Sequence, residues 1–235
     1  MKRASPPTRR KRLALRAATG STPGLRARRK RGQVTYDALI ETAFAMLDDK
    51  EFDEIPIAEL ARTAGYSVGA FYAQFRSKDE LLDAMLTRHI DDRKKVRDRQ
   101  FAAAGDLTLI HDLLEETVRH YWERRRFWRA ALIRSIRDPV FWKPVRKLSH
   151  EFADSVSARL ANRVGRALEP EEEANVRFAV QATFGTLNNT ILNRPGPFFM
   201  DQALFVERLA RGFRLVSGYD DIAAASSRSS RMKRR

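Results

Sequence analysis

IAELARTAGYSVGAFYAQFRSKDELLDAML, residues 57–86, has the apolar spacing of three consecutive helices. Apolar residues at intervals of three and four give residues 57–64 one face that can be buried. Gly65 follows, where a helix ends most easily because glycine adopts the left-handed conformation without strain. Ser67 can then accept a backbone hydrogen bond as the N-cap of a second, two-turn helix. The sequence therefore predicts two short helices joined by a tight turn.

A third helix is predicted to follow directly. Ser77 and Glu80 have the spacing of a capping box, and leucines and methionines continue the helical pattern behind them. Two short helices joined by a turn and supported by a third form the helix-turn-helix arrangement, which places its second helix in the DNA major groove. A generic three-helix core is the alternative interpretation.

The second helix of this unit is predicted to have a core face and an outward face. The core face is apolar and consists of Val68, Phe71 and Phe75. The outward face and its flanks hold three small side chains and two larger polar ones: Gly69, Ala70, Ala73, Tyr72 and Gln74. Lys, Glu or Arg would normally cover a solvated helix face, whereas small residues let a helix approach a base-pair edge closely. Gln74 is the outward side chain able to bond a base through two atoms.

The unit resembles the DNA-binding domain of the TetR family of transcriptional regulators. The residues that carry the resemblance are Ala61, Ala64 to Ser67, Gly69, Phe71, Tyr72, Phe75 and Ser77 to Leu82. The resemblance covers about residues 33–90, and beyond them only length and helical character match. Residues 55–57, Ile-Pro-Ile, depart from the family. Many members begin this helix with a Thr or Ser whose hydroxyl meets a phosphate.

The resemblance implies an all-α fold, with an N-terminal three-helix helix-turn-helix DNA-binding domain and a C-terminal helical-bundle domain for ligand binding and dimerisation. It implies a sequence-specific transcriptional regulator, a ligand-responsive repressor that binds a palindromic operator in double-stranded DNA as a homodimer. Tyr72 and Lys78 match phosphate-contacting positions of the family. The expected DNA contacts are Arg28, Arg29, Lys30, Arg31, Thr35, Ser67, Val68, Gly69, Ala70, Tyr72, Ala73, Gln74 and Lys78.

Basic residues concentrate at the two ends of the chain. Of the 45 Lys and Arg, twelve lie in residues 1–32 and five in residues 226–235, and neither segment contains an acid. The other 28 basic residues face 30 acidic ones, so the intervening body is near neutral. Such tails bind polyanions electrostatically. They leave an alternative function open, that of an architectural nucleic-acid-binding protein that acts through its tails.

Composition divides the chain into four segments. Residues 1–32 combine charge with Pro and Gly and are predicted to be a disordered basic arm. Residues 33–90 form the helix-turn-helix domain, residues 91–216 the helical effector-binding and dimerisation domain, and residues 217–235 a disordered basic tail. The basic cluster just ahead of the first helix either reaches into the minor groove or contacts phosphates without order.

The body has a helical apolar pattern throughout, without the alternation that strands show. The first helix of the chain is predicted to begin near Thr35. A helix that starts at Asp138 is expected to bend at Pro144, and Asp201 is expected to cap the last helix.

Aromatic residues concentrate in the middle of the body. Helix bundles form ligand cavities from such side chains, and ordinary core packing is the alternative. With the family resemblance, they predict a site for a small hydrophobic or aromatic effector. The residues expected to line it are Phe101, Tyr121, Trp122, Trp128 and Trp142.

Small residues also recur along one stripe of a late helix. Such a stripe allows close helix packing, either within the subunit or across the two-fold axis that the resemblance implies. The predicted dimer contacts are Phe178, Ala182, Gly185 and Asn189.

Several classes of protein are disfavoured. The sequence has no Cys, which excludes disulfides and thiolate metal sites and fits a cytoplasmic protein. Its four His are spaced too irregularly for a metal site and are expected to lie singly at the surface or at helix ends. No nucleophile, phosphate-binding or dinucleotide-binding motif occurs, and no apolar segment approaches the length of a membrane span. We therefore expect no catalytic residue, no metal, no cofactor and no membrane partner.

Overall fold

The computed structural model describes residues 23–103 and 108–224. Within these ranges the regular secondary structure is entirely helical, as the sequence predicts. The N-terminal helices are α1 (Pro23–Met46), α2 (Ile57–Thr63), α3 (Val68–Tyr72) and α4 (Lys78–Ala103), with a short 3-10 turn at Phe52–Glu54. The body consists of α5 (Leu109–Glu123), α6 (Arg125–Arg137), α7 (Lys143–Val164), α8 (Pro170–Asn193) and α9 (Ala203–Ser217).

The turn between α2 and α3 forms as its residues predict. Gly65 takes a φ of +81°, a conformation in which a side chain would be strained. Ser67 Oγ accepts a hydrogen bond from the Ala70 amide at 3.2 Å, which caps α3. The predicted cap and the predicted left-handed glycine are both confirmed.

The start of α4 departs in one detail from a capping box. Ser77 Oγ accepts from the Glu80 amide at 3.2 Å, as predicted. The Glu80 carboxylate, however, accepts from the Arg76 amide at 2.6 Å, one residue earlier than the box requires. Both bonds still pair exposed backbone donors at the helix start.

Helix α1 begins earlier than predicted. It starts at Pro23 instead of near Thr35, so residues 23–32 are helical and the predicted disordered arm is corrected over that range. Pro23 occupies the helix start, where its missing N–H costs nothing, and the Arg, Lys and Ala that follow are good helix formers. Thr35 Oγ1 donates to the Arg31 carbonyl at 3.1 Å, as in a helix interior. Residues 1–22 of the predicted arm lie outside the described residues.

Three other predicted boundaries are corrected in the body. Pro144 lies in the first turn of α7, where proline is tolerated, so it starts the helix and causes no bend. Gln202, not Asp201, is the N-cap of α9. Residues 217–224 belong to the fold instead of to a disordered tail. Tyr219 and Ile222 pack into a second apolar core, which α5, α7, α8 and α9 form within the body. Residues 225–235 of the predicted tail lie outside the described residues.

One apolar core joins the N-terminal helices α1 to α4 to the body. Phe44 on α1 packs against Phe127 on α6, with ring centroids 5.3 Å apart. Arg126 on α6 donates to the carbonyls of Leu47 and Asp48, just beyond the C-terminus of α1. Because the last carbonyls of a helix need partners, this arginine ties α1 to the body. None of the described helices combines the length and apolar character needed to cross a membrane.

Candidate nucleic-acid interface and effector cavity

Helix α3 is fixed to the protein by two phenylalanines. Phe71 is fully buried and Phe75 almost so. Their ring centroids are 5.6 Å apart, and Phe75 also packs 5.0 Å from the ring of Tyr36 on α1. Val68, predicted to share this inward face, is 40% exposed instead. It occupies the first residue of a five-residue helix, at the edge of the unit and away from the core.

The opposite side of α3 is open and uncharged. Ser67, Val68, Gly69, Tyr72 and Ala73 are exposed, and residues 67–75 include no ionisable acid or base other than Tyr72. A Cβ on Gly69 would lie 3.7 Å from Ser67 Oγ, an ordinary van der Waals contact. The fold therefore does not require glycine at this position. The small outward surface suits close approach to base-pair edges in a major groove.

Two polar side chains flank this surface. Tyr72 is 54% exposed and packs edge-on against Phe71 at 5.4 Å. Gln74 and Ala70 are half-buried. The Gln74 amide lies beside α1, since its Nε2 atom is 3.9 Å from where a Cβ on Gly32 would stand. Gln74 is thus less outward than predicted and sits at the junction of α3 and α1.

The predicted phosphate-binding positions lie around α3. Lys78, at the start of α4, places its ammonium 4.8 Å from the centre of the Phe52 ring. Burial lowers the pKa of Lys78, and the nearby Asp53 opposes that shift. Lys30 and Arg31 are exposed on α1, and Thr35 is half-buried there. These three side chains are carried by a helix and not by a flexible arm, while the side chains of Arg28 and Arg29 lie outside the described part of the chain.

The predicted effector residues do not all meet. Tyr121 and Trp128 stack with ring centroids 4.4 Å apart, and Trp142 meets Trp128 edge-on at 6.1 Å. A cavity of about 390 Å³ lies beside this group and is lined by Tyr121 and Trp142. Trp122 does not line this cavity and lies under Arg125, and Phe101 packs against Phe152 at 6.0 Å. Three of the five predicted residues therefore surround one region and two do not.

Other residues of this region were missed by sequence reasoning. Phe184 lines the cavity, and Asn188 accepts a 3.4 Å hydrogen bond from the Tyr121 hydroxyl. Burial raises the pKa of Tyr121, with Arg93 opposing the shift. Phe184 and Asn188 lie on α8, far from Tyr121 in sequence, so no local pattern predicts their contact with Tyr121.

Two histidines expected at the surface are in contact instead. His89 on α4 is buried, with its Nδ1 atom 3.5 Å from His120 Nε2 on α5. Burial lowers the pKa of His120 to about 3, helped by nearby Arg93 and Arg124, and lowers the pKa of His89 in the same way. Both rings are therefore neutral near pH 7. In the described ranges, no three His, Asp or Glu come together as a metal site would require.

The predicted dimer stripe is exposed along α8. Phe178 is 59% exposed, and Ala182, Gly185 and Asn189 follow it on the same face. Helix α9 lies alongside and exposes Leu215, and a groove of about 340 Å³ runs between the two helices. An exposed apolar face on two packed helices is typical of a protein interface.

The N-terminal region is similar to known transcriptional regulators. Residues 39–85 match the bacterial regulatory proteins of the tetR family. The HTH-type transcriptional repressor Rv1353c of Mycobacterium tuberculosis is 35% identical over 86 residues, which are 37% of this chain and 32% of that protein. The uncharacterised HTH-type regulator YwcC of Bacillus subtilis is 36% identical over 56 residues, 24% of this chain and 25% of that protein. The chain thus spans a third or less of the length of these curated relatives.

Solved structures share the fold over most of the chain. A tetR-family transcriptional regulator from Streptomyces coelicolor superposes with a TM-score of 0.59 at 20% identity, covering 83% of this chain and 87% of that one. RolR in complex with resorcinol superposes with a TM-score of 0.55 at 20% identity, covering 83% and 95%. The two curated relatives and the Streptomyces coelicolor protein are described as transcriptional regulators or repressors.

Proposed function

We propose that this chain is a sequence-specific DNA-binding transcriptional regulator of the TetR family and that it acts in the cytoplasm. The observation that carries the proposal is the outer face of α3, which is exposed, uncharged and built from small residues. A solvated helix gains nothing from such a face, whereas a helix that enters the major groove needs it. The curated repressor that matches the N-terminal region supports repression as the mode of action.

Recognition divides into specifying and positioning contacts. Gly69 lets the α3 backbone approach the bases, and Ala70 or Ala73 meets a thymine methyl. Gln74 bonds a base once its amide moves off α1. Tyr72 and the α1 residues Lys30, Arg31 and Thr35 contact phosphates and set the register. Lys78 joins them after its ammonium leaves the Phe52 ring.

Two substitutions distinguish the positioning contacts from the specifying ones. Tyr72→Phe should weaken binding to all DNA sequences alike, because it removes a phosphate partner. Gln74→Ala should relax preference at one base pair. Competition binding with single-base operator variants measures both effects. Equal and sequence-independent losses from the two variants would overturn the assigned roles.

The active form in this proposal is a homodimer. The exposed stripe of Phe178, Ala182, Gly185 and Asn189 on α8, together with α9, packs against its two-fold copy. Two α3 helices then enter successive major grooves about 34 Å apart on a palindromic operator. Only a dimer gives the protein the symmetry that such a site requires.

A small effector controls the dimer. The cavity beside Tyr121, Trp128 and Trp142 suits a hydrophobic or aromatic molecule. RolR, a structural neighbour, holds the aromatic ligand resorcinol. An effector that binds more tightly to the form with wrongly spaced α3 helices releases DNA, because a ligand shifts an equilibrium only through its different affinity for two states.

Selection from random duplexes tests the proposal against the architectural alternative. The intact chain and a chain without residues 1–22 and 225–235 are compared, which leaves every described residue in place. We expect both to enrich the same inverted repeat. Loss of all binding in the shortened chain, with no site preference in the intact one, would favour an architectural protein that acts through its tails.

A further inference from the structure

A second cavity lies where the DNA-binding helices meet the body. Its volume is about 190 Å³, larger than a single water molecule needs by roughly an order of magnitude. Its walls include four arginines, one acid and a tryptophan: Arg125, Arg126, Arg129, Arg194, Glu51 and Trp122. Glu51 is the single carboxylate in this lining. Four guanidinium groups against one carboxylate give the wall an excess of three positive charges.

The arrangement of the arginines on α6 is unfavourable without an anion. Arg125 and Arg126 lie in the first turn of that helix, which contains no acid, and Arg129 follows on the same face. The N-terminus of a helix repels cations, and like charges four residues apart repel each other. An anion at this position would remove both penalties.

The arginines are only partly satisfied by the protein. Glu51 is shared between Arg126 at 3.5 Å and Arg129 at 4.0 Å. Arg125 donates to the Trp122 carbonyl at 3.1 Å and lies over the Trp122 ring at 4.7 Å, and Arg194 lies over the ring of Phe199 at 5.3 Å. Arg125, Arg129 and Arg194 therefore retain capacity for a negatively charged partner. A single carbonyl, a shared carboxylate or an aromatic face leaves most N–H donors of a guanidinium group available.

We propose that this cavity binds a small organic molecule with a doubly charged oxyanion group, either a phosphate monoester or a dicarboxylate. Guanidinium groups bond phosphate and carboxylate oxygens in pairs, which suits both sources. The aromatic rings of Trp122 and Phe199 give the organic part of the molecule an apolar wall. This site is separate from the Tyr121 cavity, because no residue lines both cavities.

Occupation of this cavity would act on the DNA-binding helices. Glu51 lies in the segment between α1 and α2, and Arg126 holds the carbonyls at the end of α1. An anion competes with Glu51 for Arg126 and Arg129, and so loosens the attachment of α1 to the body. This regulatory consequence rests on the proposed function. Anion binding itself does not.

Calorimetric titration tests the site without DNA. Phenyl phosphate and phthalate are titrated separately into the full chain, with sodium chloride at equal ionic strength as the blank. Arg129→Gln and Arg194→Gln each remove one guanidinium from the cavity, and Arg137→Gln is the matched control at the exposed end of the same helix. Far-UV circular dichroism verifies that all variants are folded.

We expect saturable binding of at least one of the two dianions by the wild type and by Arg137→Gln. The affinity should fall at least tenfold in both cavity variants, and the dianion that binds more tightly identifies the charged group. Absence of saturable binding in the wild type would overturn the proposal. So would equal affinity in all four proteins, since the basic tails would then account for the anion binding.

Discussion

Gly69→Ala should separate folding from DNA binding. The added Cβ meets Ser67 Oγ at 3.7 Å, an ordinary contact, so no clash opposes it in the free protein. Glycine within a helix is about 0.5–1 kcal/mol less stable than alanine. For a chain of this size, that gain raises Tm by about 1–4 °C. The variant should therefore be slightly more stable than the wild type.

The affinity of Gly69→Ala for DNA should nevertheless be lower than that of the wild type. The new methyl group would stand on the exposed side of α3, between the helix backbone and the base edges. A loss of about 1.4 kcal/mol at each half-site is tenfold, so a dimer that uses two copies of α3 loses about a hundredfold. Fluorescence anisotropy with the selected operator measures this loss, and differential scanning calorimetry measures Tm.

Gly65→Ala is the matched control. At a φ of +81°, with no atom within 4 Å of the added Cβ, the cost is backbone strain alone, about 1 kcal/mol or more. This variant should lower Tm but bind the operator normally at temperatures where it is folded. Wild-type operator affinity for Gly69→Ala would refute the assignment of this face of α3 to DNA.

Three further outcomes are expected. Phe71→Ala should lower the free energy of unfolding in urea by about 3–5 kcal/mol because the ring is fully buried; a loss below about 1 kcal/mol would contradict its place in the core. Phe178→Glu should yield monomers in sedimentation equilibrium, and an unchanged dimer would exclude the α8 interface. His120 has a folded-state pKa of about 3 against an ordinary 6.5. Its contribution to the free energy of unfolding is therefore complete above pH 6.5, and it is lost as the pH falls because the unfolded chain takes up the proton first. Between about pH 6 and 4, the free energy of unfolding should therefore fall less steeply in His120→Gln than in the wild type, and the two slopes should differ by about 1.4 kcal/mol per pH unit. Urea midpoints that run parallel with pH in the two proteins would contradict this.

Features that depend on neighbouring residues could be predicted from the sequence. The cap by Ser67 and the left-handed Gly65 each follow from one residue type beside a helix end. The burial of Phe71 and Phe75 follows from helical spacing. Spacing failed for Val68, because α3 is too short for its first residue to share the buried face.

Composition was a poorer guide at the start of the chain. The abundant Arg and Lys of residues 23–32 indicated disorder, yet these residue types are also good helix formers, and Pro23 provides a helix start. Local helix propensity decided the structure there. A high content of Arg and Lys is therefore compatible both with a disordered arm and with an extension of α1.

Contacts between distant residues could not be predicted from local patterns. His89 and His120 meet because α4 packs on α5, and neither residue has a telling neighbour in sequence. The arginine-lined cavity likewise combines Glu51, the start of α6 and Arg194 at the end of α8. Only the packing of α6 and α8 against the end of α1 brings these charges together.

Site-directed cleavage of DNA tests the placement of α3 most directly. The chain has no native Cys, so Arg76→Cys provides a unique attachment point for an iron chelate at an exposed residue beside the end of α3 that makes no proposed base contact. Glu171→Cys, on the exposed first turn of α8, is the control. On the selected operator, we predict two clusters of cuts about one helical turn apart, symmetric about the centre, from the position beside α3 alone. Uniform cleavage along the duplex, or equal cleavage from both positions, would contradict a recognition helix in the major groove.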